Sequence, residues 1–281
     1  MLEIKAKNEQ GEVLAFGRDS RYAVTISGVS PAAATINLSK AAMIDGARFN
    51  SSRVSERNIV LMVYFLKDVE SARLNLYRYF PPKHKCILYL KNGARDVCIE
   101  GYVETVECDL YALGQCAQIS VICPDPYFKD IDDTYAGVQK MQPMLEFPLM
   151  TEKEGLELSQ LYNDAVSTVV NKGDVEAGMV IELRSSGRVV NPRIYNEETR
   201  QVIGLRMEME EGDQIAINTN AGEKSVTLYR DGAFHNVINR LMSNPSWLQM
   251  TAGANVFTYK CDEGNESLSV VFRFRARYMG V

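Results

Sequence analysis

The sequence predicts a mainly β protein with one helix, built in two parts. Three observations carry that expectation. Short segments rich in β-branched and aromatic residues recur between glycine, asparagine and aspartate turns, the pattern of antiparallel sheets. Only one long segment, Val69–Tyr79, places its apolar residues at helical spacing. The alternating run of residues 117–122 stops at Cys123-Pro124-Asp125-Pro126-Tyr127-Phe128, where two prolines withhold ladder N–H groups and force extended backbone before them. With the polar residues 129–140 behind it, this stretch reads as a seam between a first domain, residues 1–140, and a second, residues 141–281. Between the prolines Asp125 reads as a turn residue, with no partner in the pattern for acid catalysis.

Residues 4–6 and 12–16 flank the turn Asn8-Glu9-Gln10-Gly11 as a hairpin, and residues 22–26 alternate as a strand before the turn Gly28-Val29-Ser30-Pro31. Residues 35–38 are strand-like, Asp45-Gly46 turns the chain, and Asn50-Ser51-Ser52-Arg53 reads as a polar loop. The run of residues 57–66 is apolar and β-branched enough for a strand covered on both faces. Asp68 then stands where an N-cap belongs, Val69, Ala72, Leu76 and Phe80 recur at helical spacing, and Pro81-Pro82 closes the helix. Strands resume at residues 86–90, 96–107 and 113–122, with Asn92-Gly93 as the strongest hairpin signal in the chain.

Beyond the seam, Pro143, Pro148 and the charged residues 152–157 read as a mobile patch. From Ala165 the pattern is again all β: residues 166–170, 179–184, 193–196, 202–209, 214–218 and 225–230 alternate between turns at sandwich-like intervals. Residues 237–242 suggest a helical turn before Asn244-Pro245, and residues 255–260 and 268–278 form the closing strands.

A formal charge of −5 argues against a nucleic-acid-binding surface. The longest apolar run has eight residues, Ile59 to Leu66, far short of the roughly 20 that span a bilayer. The first residues lack the apolar core of a signal peptide, so the expected site of synthesis and assembly is the cytoplasm. Cys86, Cys98, Cys108, Cys116, Cys123 and Cys261 form no CxxC pair, and His84 and His235 lie far apart. They read as reduced, half-buried small hydrophobes, with no metal site and no cofactor.

Several residues invite a catalytic or binding reading. Ser27-Gly28 lacks the flanking glycine of a nucleophile elbow. Ala221-Gly222-Glu223-Lys224-Ser225 resembles the end of a phosphate loop, but Ile217 stands where its first glycine belongs and no helix follows. Glu208, Glu210 and Glu211 cluster, with Glu208 and Glu210 on one strand face, most simply a solvated one. Trp247, the only tryptophan, reads as a core anchor or as a ring on which a sugar stacks. Arg273, Arg275 and Arg277 alternate with Phe272, Phe274 and Tyr278, which suits an interface or solvent face better than a nucleic-acid track. No catalytic residue emerges, and an enzyme is not expected.

Four stretches together resemble the distal tail protein family of long-tailed bacteriophages, also called baseplate hub proteins. They are Asp45-Gly46-Ala47-Arg48-Phe49 with the strand after it; Tyr79-Phe80-Pro81-Pro82-Lys83; Gly101-Tyr102-Val103-Glu104 with the proline seam; and Asn171-Lys172-Gly173-Asp174 through Gly253-Ala254-Asn255 to Tyr278-Met279-Gly280-Val281. The resemblance implies a tail-tube-like β-barrel with one helix, followed by a galectin-like β-sandwich. It also implies a hexameric hub ring that joins the tail tube protein to the baseplate, a tail fibre or tail-associated hub protein, or a receptor-binding protein. DNA would pass through such a ring without specific binding, which the acidic balance suits. The alternative is a carbohydrate-binding baseplate module that aids attachment to the host cell.

Overall fold

The structure, a computed structural model, describes residues 2–17, 20–40, 42–43, 45–112, 114–137, 140–143, 159–162 and 166–281. The charged patch at residues 152–157, Pro148 and Ala165 lie outside them. By internal packing the chain forms two units, Met1–Ile131 with Arg277–Val281, and Asp132–Ala276. The division therefore falls nearer the prolines than residue 140, and the last five residues return to the first unit.

In the first unit β1 (Glu3–Asn8), β2 (Val13–Phe16), β3 (Tyr22–Ser27), β4 (Ala34–Ser39), β5 (Arg48–Val54) and β6 (Arg57–Phe65) precede α1 (Val69–Tyr79). After it come β7 (Lys85–Asn92), β8 (Arg95–Cys108), β9 (Cys116–Cys123) and β10 (Phe128–Asp130). The main sheet runs β2-β1-β7-β8-β9-β6-β3, all neighbours antiparallel, with β10 against β8. Period-2 alternation sorts its side chains. Ile59, Leu61 and Val63 of β6, Leu88 and Leu90 of β7, and Ile119 and Val121 of β9 are buried in one core with Ala72, Leu76 and Phe80 of the helical segment. The β6 run is thus covered on one face only: Asn58 and Tyr64 are exposed on the other.

The helix spans the residues its spacing predicted, but Asp68 makes no side-chain cap and sits at φ 48°. Tyrosine hydroxyls do the tethering instead, Tyr22 donating to the Ala72 carbonyl at 3.0 Å and Tyr79 to that of Ala6 at 2.7 Å. Among the described residues no closed barrel forms, contrary to the expectation. The sheet is an open path, and among the described residues its end strands β2 and β3 share no ladder. β2 is only four residues long, and among the described residues Gly17 just after it donates a backbone hydrogen bond to the Tyr22 carbonyl (3.2 Å) while the Phe16 and Tyr22 rings meet edge to face. A second correction concerns residues 50–53, which are not loop but lie in β5, paired with β4 in a two-stranded ladder of its own.

The second unit holds β11 (Thr134–Gly137), β12 (Lys140–Pro143), β13 (Ser159–Tyr162), β14 (Val166–Asn171), β15 (Met179–Ser185), β16 (Val189–Val190), β17 (Arg193–Asn196) and β18 (Gln201–Gly204). Then follow β19 (Glu208–Met209), β20 (Gln214–Asn218), β21 (Ser225–Arg230), β22 (Ala233–Asn236), β23 (Gly253–Lys260) and β24 (Leu268–Phe274). A six-stranded sheet, β11-β24-β15-β20-β21-β22, and a four-stranded one, β14-β23-β17-β18, bury one common core. Phe257 of β23 stacks on Phe272 of β24 at 4.6 Å between ring centroids, joining the two layers. The helical turn is a short 3-10 segment, Ile238–Arg240. The expected last strand is split, because residues 275 and 276 carry the chain out of this sheet to β25 (Arg277–Tyr278), which pairs with β10 in the first unit.

Candidate assembly surfaces

The proline seam is held by an arginine the sequence reading passed over. Arg57, at the start of β6, is 3 % exposed. It donates from Nε to the Pro126 carbonyl (2.6 Å), from Nη1 to those of Gly28 and Ser30 (2.6 Å each), and from Nη2 to that of Met279 (2.7 Å). Its guanidinium also lies 4.6 Å from the centroid of the Phe128 ring. Burial pushes its pKa down from the ordinary arginine value, yet an arginine stays charged across the accessible range. A fork of fixed donors thus joins the 28–30 turn, the prolines and residues 277–281. Gly28 sits at φ +82°, and an added Cβ would stand 2.1 Å from the Asn58 carbonyl oxygen, so only glycine fits that turn.

Around this clasp Arg277 donates to Asp125 Oδ1 at 2.6 Å and lies over the Tyr127 ring, while Lys129 Nζ reaches Asp125 Oδ2 at 2.9 Å. Arg95 donates to the Gly280 carbonyl and lies over the Tyr278 ring. Burial alone would raise the Asp125 carboxyl, but Lys129 and Arg277 outweigh it and hold the group below the usual carboxylate range. Asp125 is therefore more than a turn residue: it is the anionic centre of the seam.

The ladder of β4 and β5 is exposed along both strands. Its register sets Ala34 opposite Val54, Ile36 opposite Ser52 and Leu38 opposite Phe49, with a bulge after Asn37. One face consequently carries Ile36 (58 % exposed), Leu38 (50 %), Phe49 (59 %) and Val54 (38 %). A lone hairpin is marginal in water, and an apolar patch of this kind marks an interaction surface.

The open face of the main sheet has a different character. Across the β7–β8 ladder Lys85 meets Glu100 at 2.7 Å and Lys91 meets Asp96 at 3.4 Å. Farther on, Glu104 accepts from the Ser120 hydroxyl at 2.8 Å. Beyond Glu100 that face, over β8, β9, β6 and β3, bears Glu104 and Glu107 among amides, hydroxyls and the apolar Tyr102, Ile122, Val60, Met62 and Tyr64, and neither lysine nor arginine.

The residues singled out from the sequence do not converge. Glu208 and Glu210 are exposed, Glu208 with Glu263 holding Arg188 and Glu210 facing Arg230. Trp247 packs partly buried against the second core, with Lys224 Nζ 5.3 Å from its ring centroid. Arg273 and Arg275 both meet Asp133, at 3.2 and 2.7 Å, so the arginine run forms intramolecular pairs and no basic track. Cys86, Cys98 and Cys123 are buried, Cys108, Cys116 and Cys261 half-buried, and all six are free thiols. Among the described residues no three His, Cys, Asp or Glu side chains form a group that could hold a metal. No described helix is long and apolar enough to cross a membrane.

Comparison with known proteins places this chain in context. Residues 172–278 match the model of the family described as siphovirus-type tail component, C-terminal domain, represented by SPP1 Dit. The crystal structure of the SPP1 Dit protein, described as a paradigm of the hub adsorption apparatus in phages infecting Gram-positive bacteria, is similar over 97 % of this chain and 98 % of its own. There the TM-score is 0.67 and the identity 10 %. A chain of the phage P2 baseplate in its activated, calcium-bound conformation is similar over the whole of both chains, at a TM-score of 0.53 and 11 % identity. No curated protein matches in sequence. The family match and the shared fold bear out the resemblance to distal tail and baseplate hub proteins.

Proposed function

We propose that the protein is a structural component of the phage virion, a distal tail protein whose first unit closes with five further copies into a hub ring. The ring joins the tail tube protein to the baseplate, tail fibre or receptor-binding apparatus, and the second unit is its peripheral, galectin-like sandwich. The single observation that carries the reading is the β4–β5 ladder, an exposed apolar face on a hairpin that no described residue of its own chain covers. A neighbouring copy supplies that cover in a head-to-tail contact that closes on itself. Open sheets adding side by side complete the barrel wall that one chain leaves open. The acidic balance of the chain, a formal charge of −5, suits a passage that gives DNA no phosphate affinity. The matched family is a structural tail component, and the chain's role is correspondingly architectural, without chemistry of its own.

Sedimentation velocity and negative-stain imaging test this. The wild type is expected as six-fold rings, and Leu38→Glu with Phe49→Glu as a folded monomer of unchanged melting temperature. A monomeric wild type at concentrations where tails assemble, or rings that survive the double substitution, would refute it. The alternative, a glycan-binding module, gains no observation: the Trp247 ring has the core against it and Lys224 over it. Glycan binding lost in Trp247→Ala would restore that reading.

A further inference from the structure

The six-stranded sheet of the second unit ends on β22, and among the described residues no strand pairs with its outer side. Natural sheet edges are blunted by lysine, proline, bulges or inward charges. β22 reads Ala233-Phe234-His235-Asn236, contains none of these, and is exposed at every residue. Phe234 is 77 % exposed and lies directly across the ladder from Tyr229, the two rings 5.0 Å apart at 47°. Ile238, 40 % exposed, follows on the 3-10 turn. Rigid aromatics pre-packed on each other are the side chains that anchor protein interfaces.

Charge narrows the partner. Arg206 donates its backbone N–H to the Arg240 carbonyl at 2.7 Å, which sets two exposed arginines side by side at the end of that turn. Neither forms a salt bridge among the described residues, whereas Arg230 of β21 is taken by Asp213. Although the formal charge of the chain is −5, the two adjacent arginines make a local positive patch, and an acidic partner is steered to it.

We propose that the β22 edge is a docking strand for an extended segment of a partner protein, one that adds by backbone pairing, packs apolar side chains on Tyr229 and Phe234, and carries carboxylates toward Arg206 and Arg240. Such strand addition draws affinity from the main chain and specificity from alternate side chains. The partner's place on the tail rests on the hub reading; the binding does not, since a ring defect leaves this edge intact.

The test is fluorescence anisotropy on the full chain, with a labelled nonapeptide of alternating valine and glutamate and its valine–lysine counterpart as probes. The glutamate peptide is expected to bind and the lysine peptide not. Phe234→Ala with Tyr229→Ala should weaken binding about tenfold or more, and Arg206→Glu with Arg240→Glu should invert the preference. All four positions are exposed enough for an unchanged melting curve to certify the fold. Absence of binding at millimolar peptide, equal binding of both peptides, indifference to the four substitutions, or selective binding of an oligosaccharide lost with Phe234 would each overturn the proposal.

Discussion

Replacing Arg57 by methionine tests the clasp directly. Methionine keeps most of the buried stem and removes the charge and every donor, stranding the carbonyls of Gly28, Ser30, Pro126 and Met279. A hydrogen bond to a charged group contributes about 1.5–3 kcal/mol. The four are not additive, because the freed carbonyls near the surface recover water. Removing one side of a buried charged network costs about 3–5 kcal/mol, and we expect that range here. For a unit of this size 1 kcal/mol shifts the melting temperature by roughly 3–5 °C, so the first unit should melt about 10–20 °C lower.

Calorimetry of the full chain reads this out, because none of the four carbonyls belongs to residues Asp132–Ala276 and the transition of that unit should stay in place. Arg57→Lys should recover less than half of the loss, since an ammonium is a point charge without the planar fork that spans three segments. A fall below about 3 °C in the methionine variant, or an equal fall of both transitions, would refute the clasp.

Gly28→Ala forces a side chain into left-handed backbone against the Asn58 carbonyl; chemical denaturation should show a loss of about 2 kcal/mol or more. Thiol labelling at pH 8 should leave Cys86 and Cys123 untouched in the native protein, because burial pushes both up to about 12, while unfolding exposes all six cysteines. In the second unit Asp213 is 2 % exposed and holds Arg230 in a two-pronged pair at 2.9 and 2.5 Å. Asp213→Asn should therefore cost about 1–3 kcal/mol at pH 7, measured by urea denaturation. Arg230 keeps the Asp213 carboxyl below its ordinary range, so the wild-type advantage over this variant should shrink as pH falls below about 4.

Local periodicity made most strands and the single helix legible, because alternation and the 3.6-residue repeat are properties of neighbouring residues. What it could not show depends on distant partners. Residues 50–53 read as loop because a ladder exposed on both faces lacks the burial that imposes alternation. The strand β22 escaped for the same reason. Arg57 resembled any charge at a strand edge, and its four acceptors are backbone carbonyls of four other residues, two of them more than 60 positions away, which carry no sequence signal. The seam itself was legible from its prolines; that residues 277–281 come back to it was not. The arginines at 273, 275 and 277 were visible as an alternating face, but Asp133 and Asp125 as their partners were not.

The two arginines of the seam should part company in acid. Arg57 donates to neutral carbonyls, which do not titrate, so the deficit of Arg57→Met should be the same from pH 8 down to pH 3. Arg277 donates to Asp125, a carboxyl that Lys129 and Arg277 hold below its ordinary value against the opposing effect of burial. A carboxyl lowered on folding stabilises the native state above its unfolded pKa of about 3.9, and loses that contribution as pH falls through the folded value. The deficit of Arg277→Met should thus be largest above pH 5 and decline below pH 4, leaving a part that includes the lost contact with the Tyr127 ring. Melting temperatures of both variants and the wild type across this range decide the matter. Parallel pH profiles for the two deficits would show that one charged network, with Asp125 at its centre, holds both arginines, and the division between a permanent clasp and an acid-sensitive one would fall.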